Sequence, residues 1–591
     1  MITQVWRAIG IAFAVGLLVV VAVLAGGEPH VVHIGRVMLG GGIETDFDLR
    51  IDNLSLLMLG IVGVVGGCVH VYSIGYLHGE PRTASYHAIV TLFMAAMSTV
   101  VVADSLFLLL IGWEVMGTCS YLLIGHYWER RDARAGAVKA FLMTRLGDVG
   151  FLFGIFVIGL AAGTFHISEI DPSRASDGLL TVGALLLLCG VVGKSAQIPL
   201  QTWLPDAMPG PSPVSALIHA ATMVAAGVFL VARMENVFIA APGAFGVLAV
   251  IASLTMLIAA LCATASTEVK RVLAWSTVSQ LAIMLGALSV GSHDGREAGL
   301  FHLLTHAAFK ALLFLCAGVL LHQVGSATFA VLRRRARRGG LRKAMPLTFV
   351  TMTIGLAALA GVPGLSGFFS KDAVIEAAWH SARDGSWEGW LVFVAVLLTA
   401  VLTGFYATRM WLWVFFGTPA PLGGLGAFED EEMVFDDEDS AEHSTLKDGS
   451  PWMLAPLVLL VLLTIGIGYV RVGELDLLIA GISFVALLLG VVPAYSLWKR
   501  GADPRPEVLE REFGFDTVYQ AAIVRPVRAL ARVVVAGDND VVDGYVRGAG
   551  KAGMLASAGF RRLQNGNVQT YLTGAVVGVV ALAVLAGVIA A

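Results

Sequence analysis

His302, His306 and Lys310, in FHLLTHAAFKALLFL, are spaced four apart and stack on one side of a helix whose other faces are Leu, Phe and Ala. Two imidazoles in line with an amine suit proton transfer, because histidine titrates near neutral pH and desolvation disfavours the charged form of a lysine. Metal binding is the rival chemistry. Against it, no Glu sits between the histidines as in a HExxH helix, and no third ligand is apparent. Glu114, in SLFLLLIGWEVMGTCSYLLIG, lies about ten residues from either end of an apolar run, so a carboxylate there needs a cation. Asp148 follows Arg145 by three residues, a spacing that suits either a local ion pair or a transport role. Lys139, higher on the same helix, is placed to serve the cytoplasmic surface.

Two further lysines accompany breaks in apolar helices. Leu185 to Arg233 carries Lys194 in mid-run, then Pro199, Pro205, Pro209, Pro211 and Pro213, then a second apolar helix with His219. Placing a lysine at a bilayer centre costs on the order of 2.5–3.5 kcal/mol, so its ammonium must face a protein-lined interior and find a partner there. Non-helical backbone at that depth is tolerated only where it lines a cavity. The second break, GVPGLSGFFSKD at Gly361 to Asp372, presents Lys371, and Asp372 next to it must point elsewhere on a helix.

The elements that position these groups are membrane spans. With 591 residues, 57% of them hydrophobic and only 14% charged, the chain is excluded from the soluble globular class. Its mean hydropathy of +0.80 agrees. The composition predicts an all-α polytopic membrane protein of about fifteen transmembrane helices, the first near residues 8 to 25. All five cysteines fall in apolar runs without a CxxC pair, so neither an iron–sulfur cluster nor a zinc site is indicated. The alternate set of loops richer in Lys and Arg includes Arg333 to Lys343 and is expected to be cytoplasmic. The amino terminus is then cytoplasmic and the carboxyl terminus lies on the opposite side.

Residues 87–234 and 235–417 form two five-helix blocks, each with an interrupted fourth helix that carries a lysine. An odd number of spans per block inserts the second copy upside down, which predicts two inverted repeats. Residues 1–86 supply amino-terminal peripheral helices and residues 451–502 carboxyl-terminal spans. Between them, residues 418–450 form an acidic cytoplasmic loop. Residues 503–566 alternate apolar and basic side chains as a long amphipathic lateral helix, with kinks predicted at Pro526 and the glycines. Residues 567–591 form a terminal anchor span.

Several stretches together resemble one family. They are VYSIGYLHGEPR, LLLIGWEVMGTCSYLLIGHYWERRDARAGAVKAFLMTRLGDVGF, GKSAQIPLQTWLPDAMPGPSPVSALIHAATMVAAGVFLVAR, STEVKRVLAWSTVSQLAIM, HLLTHAAFKALLFLCAG and PGLSGFFSKD. The family is subunit L of the bacterial proton-pumping NADH-quinone oxidoreductase, respiratory complex I, whose relatives include mitochondrial subunit 5 and Mrp-type sodium/proton antiporter subunits. The resemblance runs from about Phe47 to the end.

The resemblance implies a proton-translocating, antiporter-like subunit of the bacterial inner membrane, driven by quinone reduction elsewhere in the assembly. It implies no cofactor in this chain, with flavin, iron–sulfur clusters and quinone in other subunits. Its partners would be neighbouring antiporter-like subunits contacted by the lateral helix, together with the lipid bilayer and protons, and no nucleic acid. Residue by residue, Glu114 and Lys194 are similar to the family's coupling glutamate and its partner lysine, and His219 to a bridging position. His302, His306 and Lys310 match the central relay, Lys371 the exit-side lysine, and Asp148 a family carboxylate. The chain departs from the family in showing one span before Phe47 where two are expected; either the start is truncated or a peripheral helix is absent. An Mrp-type cation/proton antiporter subunit is the second reading, and the membrane subunit of an energy-coupled inorganic carbon uptake system the third. The lateral helix with its anchor favours complex I.

Overall fold

The computed structural model describes residues 2–38, 44–220, 222–336, 340–417 and 446–590, the side chains of residues 36–38 and 44–46 excepted. Chain contacts divide it into two units, Met1–Phe513 and Gly514–Ala591.

The first unit opens with α1 (Ile2–Leu24), which begins earlier than its apolar run suggests. A hairpin the sequence pattern did not announce follows: β1 (His30–Met38) pairs antiparallel with β2 (Glu44–Ile51), His30 opposite Ile51. Then come α2 (Asn53–Tyr76) and the first block, α3 (Thr83–Val102), α4 (Leu106–Ile124) and α5 (Arg131–Ala162). Its interrupted fourth helix is α6 (Asp177–Lys194) with the short α7 (Trp203–Asp206), and its fifth span is α8 (Ser212–Ala220) with α9 (Ala225–Arg233). A short α10 (Glu235–Ile239) leads to the second block, α11 (Pro242–Ala265), α12 (Val269–Ser289) and α13 (His293–Val324). The basic segment after α13 forms α14 (Phe329–Ala336) and α15 (Gly340–Ala344). The second interrupted helix follows as α16 (Pro346–Ala360) and α17 (Ser366–Arg383), and α18 (Trp387–Phe415) closes the block. The remaining elements of this unit are α19 (Pro451–Gly466), α20 (Leu477–Lys499) and α21 (Glu507–Glu510).

Among the described residues, fourteen helical spans are long and apolar enough to cross a membrane. The divided pair α16 and α17 makes the fifteenth, so the chain is a multi-pass, all-α membrane protein. The acidic loop expected at 418–450 lies outside the described residues except for 446–450. There Asp448 accepts hydrogen bonds from the Leu347 and Thr348 amides and the Thr348 hydroxyl, capping α16.

Local chemistry sets the helix ends. The Asp52, Ser292 and Ser386 side chains accept from the amides of Ser55, Gly295 and Gly389, satisfying first-turn donors of α2, α13 and α18. Past α6 the chain leaves helical geometry at Ala196, with a cis Ile198–Pro199 bond. The carbonyl of Gly193 freed there accepts the Trp203 indole N–H at 3.0 Å. Past α16 the break is built on Gly361 and Gly364, both at φ 88°, where a side chain would be strained. The most enclosed spans are α8–α9, α12 and the apolar stretch of α13, where nearly every described residue is buried by the rest of the chain. Protein, rather than lipid, therefore surrounds the polar residues on these helices, as their cost requires.

The segment Asp503 to Phe513 belongs to this first unit although the amphipathic pattern begins at Asp503. Arg409 binds the Asp503 carboxylate through two nitrogens, at 2.6 and 2.9 Å, and the Ser266 carbonyl at 2.7 Å. Arg271 pairs with Glu512, which also accepts the Trp275 indole N–H at 3.0 Å.

The second unit consists of α22 (Phe515–Tyr519), α23 (Arg525–Ala536), α24 (Asp543–Leu563) and the terminal span α25 (Val568–Ala590). Wider π-type turns at Gln520–Val524 and Gly537–Val542 join the first three, so the helix continues past Pro526 where the sequence predicts a kink. The wider turn lets the proline, which has no N–H to donate, enter at the start of α23.

Candidate functional site

Four alternating charges run from α4 into the broken helix α6. Glu114 on α4 pairs with Arg145 on α5. Arg145 lies 3.7 Å from Asp148, and Asp148 lies 3.2 Å from the Lys194 ammonium. Glu114 and Arg145 are about a third exposed, at 32% and 28%, whereas Asp148 and Lys194 are closed off at 3% and 0%. This corrects one expectation: Glu114 finds its cation in Arg145, and the carboxylate beside Lys194 is Asp148. The spacing of Arg145 and Asp148 was legible, but the arrival of Lys194 from another helix was not.

Small residues make that arrival possible. A Cβ at Gly147 would meet the Cys189 carbonyl at 2.5 Å, so α5 and α6 touch backbone to backbone next to Asp148. A Cβ at Gly117 would meet the Lys194 ammonium at 2.6 Å, so α4 makes room for that group. Trp113 completes the pocket. Its indole N–H donates to Asp148 at 2.6 Å, and its ring lies 5.8 Å from the Lys194 nitrogen.

His219 on α8 is buried, with neither ring nitrogen hydrogen-bonded among the described residues, and its ring packs 4.6 Å from Phe314 of α13. On α13, His302, His306 and Lys310 are all fully buried. The ring centroids of the two histidines are 6.3 Å apart. Lys310 donates to the Ser276 hydroxyl of α12 at 2.8 Å, and no carboxylate pairs with it among the described residues. His302 reaches Gln280 of α12 on one side and Ser370 of α17 on the other.

Lys371 donates to the Leu359 carbonyl at 2.5 Å, one of the groups left open by the break after α16. Asp372 points away and accepts from Ser483 of α20 at 2.8 Å. Lys139 pairs with Asp206 at 2.5 Å, at the end of the first broken helix, and lines a cleft of about 970 Å³. Asp206 also accepts from Arg271 at 2.9 Å. Lys270, on the wall of the same cleft, is a buried lysine that sequence reasoning missed. It donates to the Met208 and Gly210 carbonyls, at 2.5 and 2.9 Å. It stands in STEVKR at the mouth of an apolar run, where a lysine ordinarily reads as a surface residue. Ser276, Gln280 and Ser370 were missed too, since neutral polar residues on a helix carry no spacing signal until their partners are known.

Chemically, the arrangement combines titratable groups sealed from bulk water with few opposite charges to hold their protons. Among the described residues, no group of three or more His, Cys, Asp or Glu side chains has the geometry of a metal site.

The chain is similar to known proteins in sequence and in fold. Residues 103–403 match the family described as NADH:quinone oxidoreductase/Mrp antiporter, TM. Residues 38–87 match NADH-Ubiquinone oxidoreductase (complex I), chain 5 N-terminus. NADH-quinone oxidoreductase subunit L of Mycobacterium tuberculosis is 36% identical over 568 residues, covering 92% of this chain and 86% of that one. The subunit L of Escherichia coli is 35% identical over 582 residues, covering 92% and 88%. That of Pseudomonas aeruginosa is 43% identical over 392 residues, covering 65% and 61%. Among solved structures, an Mrp complex from Dietzia sp. superposes with a TM-score of 0.67 at 26% identity, covering 100% of this chain and 61% of that one. An archaeal membrane-bound sulfane sulfur reductase shares the fold, with a TM-score of 0.66 at 23% identity over 84% of this chain and 93% of that one. With more than a third of its residues identical to subunit L chains over about nine-tenths of its length, the chain belongs to the NADH-quinone oxidoreductase subunit L family.

Proposed function

We propose that this chain is a proton-translocating membrane-arm subunit of an NADH-quinone oxidoreductase, its transport driven by quinone reduction in other subunits and its own residues doing no redox chemistry. The relay comprises Glu114, Lys194, His219, His302, His306, Lys310 and Lys371, with Asp148 as the counter-charge of Lys194. The observation that carries this reading is the burial of two lysines, on α13 and α17, and three histidines, on α8 and α13, without a carboxylate partner among the described residues. Such groups are expensive at membrane depth and are kept there for transport. The complex is placed in the bacterial inner membrane with the basic loops, and hence the amino terminus, on the cytoplasmic side.

The test is NADH-driven proton uptake by vesicles containing the complete complex. Lys310→Ala and His302→Ala should each abolish most uptake while the complex stays assembled on native gels; wild-type uptake by both would end the proposal. The likeness to an Mrp complex keeps a second reading in view, cation/proton antiport. Uptake that requires sodium would favour it.

A further inference from the structure

His302 is the one relay imidazole with a hydrogen-bonding group opposite each ring nitrogen. Nδ1 lies 2.9 Å from the Ser370 hydroxyl and Nε2 lies 3.2 Å from Oε1 of Gln280, all three side chains being fully buried. Thr305 stands 2.8 Å from Ser370 and 3.1 Å from the His302 carbonyl, and Ser370 stands 3.5 Å from the Gly367 carbonyl. The far end of the Gln280 amide, Nε2, has no partner to fix its orientation.

Counting donors and acceptors gives two complete arrangements. In the first, Thr305 donates to Ser370, Ser370 donates to Nδ1, and the proton on Nε2 is donated to Oε1 of Gln280. In the second, Nδ1–H donates to the Ser370 oxygen, Ser370 turns to the Gly367 carbonyl and Thr305 to the His302 carbonyl. Gln280, its amide turned over, then donates to the bare Nε2. A hydroxyl is both donor and acceptor and an amide is one at each end, so the same three side chains satisfy either tautomer. A carboxylate or an apolar residue in their place would satisfy one at most.

We propose that Ser370, Thr305 and Gln280 are positioning residues that hold His302 equally well in both neutral tautomers, making it a two-way proton gate between α17 and α12. The inference rests on the relay reading above. A proton taken at Nδ1 gives the imidazolium, and a water molecule admitted beside Nε2 as the Gln280 amide turns over takes the Nε2 proton and leaves the other tautomer: one proton enters, one leaves. The hydroxyls then turn to meet the new state. The imidazole itself need not turn over, and neither of its ring nitrogens is left without a hydrogen-bonding group before or after the step. The Nδ1 side belongs to the helix that carries Lys371 next to Ser370, and the Nε2 side to the helix that binds Lys310 through Ser276.

The test measures proton uptake per NADH oxidised, with its pH profile, in vesicles of the complete complex whose assembly is verified on native gels. Gln280→Glu is isosteric and keeps the acceptor but loses the donor. It should lower uptake about tenfold and move the pH optimum upward, because it favours the Nε2–H and doubly protonated ring. Ser370→Ala should lower uptake by a similar factor, and Ser370→Thr, which restores a hydroxyl, should recover most of it. Near-wild-type uptake and pH profile in Gln280→Glu and Ser370→Ala, with His302→Ala inactive, would overturn the gate and leave the relay standing. Wild-type uptake in His302→Ala would overturn the gate, and wild-type uptake in Lys310→Ala as well would overturn the relay.

Discussion

The Lys194 ammonium lies 3.2 Å from the Asp148 carboxylate, and both are sealed from solvent, while Glu114 is held off by the Arg145 guanidinium between them. The carboxylate that governs the first lysine is therefore on α5. Removing one member of a buried pair costs about 3–5 kcal/mol because the other charge is left stranded, whereas an exposed pair is worth about 0–1 kcal/mol. Asp148→Asn should consequently lower both the thermal stability of the solubilised complex and its proton uptake much more than Glu114→Gln does. Equal losses in the two variants would contradict this ranking.

Gly117 is predicted to be intolerant of a single methyl group. The added carbon would sit 2.6 Å from the Lys194 nitrogen, and the ammonium is confined by Asp148 and Trp113 on its other sides. Gly117→Ala should cut proton uptake severalfold. The double variant Gly117→Ala, Lys194→Met should be no less stable than Lys194→Met alone, since the clash is gone. Thermal unfolding of the assembled variants decides this.

Lys371 has two duties that arginine separates. It closes the open Leu359 carbonyl at 2.5 Å, and in the proposed relay it also releases its proton. A guanidinium can donate to the carbonyl but, with a pKa above 12, does not give up its proton on a turnover timescale. Lys371→Arg should thus assemble normally and pump poorly, and Lys371→Ala should lose both stability and pumping. Full pumping by Lys371→Arg would reduce this residue to a helix cap.

Asp52 caps the first turn of α2. Burial by itself would raise its pKa, but the Arg233 hydrogen bond and charge, the Ser55 amide and Arg50 outweigh that and hold it at about 2. Because the folded value lies below the unfolded one, the stabilisation is present above about pH 4 and is lost as pH falls toward about 2. It is worth roughly 1–2 kcal/mol. The melting temperature of the wild type should fall between pH 6 and pH 3 by a few degrees more than that of Asp52→Asn; identical slopes would rule the pair out as an acid-sensitive tie.

Truncation after Phe513 tests the amphipathic unit. The first unit keeps its own ties to that end of the chain, Arg409 to Asp503 and Arg271 to Glu512, so it should still insert and remain folded. If α22–α25 brace neighbouring subunits, as proposed from the family, the truncated chain should migrate apart from the rest of the complex on native gels. Normal assembly without those helices would refute the brace.

Much of the architecture was determined along the chain itself. Apolar runs of membrane length, the prolines and glycines of two breaks, and charges set inside apolar helices are local properties, and each was legible as a span, a break or a charge within a span. His302, His306 and Lys310 share a face because helical periodicity alone puts them there. The hairpin β1–β2 was hidden, because short strands beside membrane spans offer only weak alternation. What the tertiary structure alone decided is which helix faces which. Asp148 rather than Glu114 meets Lys194 because Gly147 and Gly117 let three helices close on one point, and Gln280 and Ser370 flank His302 because α12 and α17 both pack against α13. Ion pairs and hydrogen bonds act over about 3 Å, a distance that sequence spacing specifies only within one helix; between helices it is set by packing.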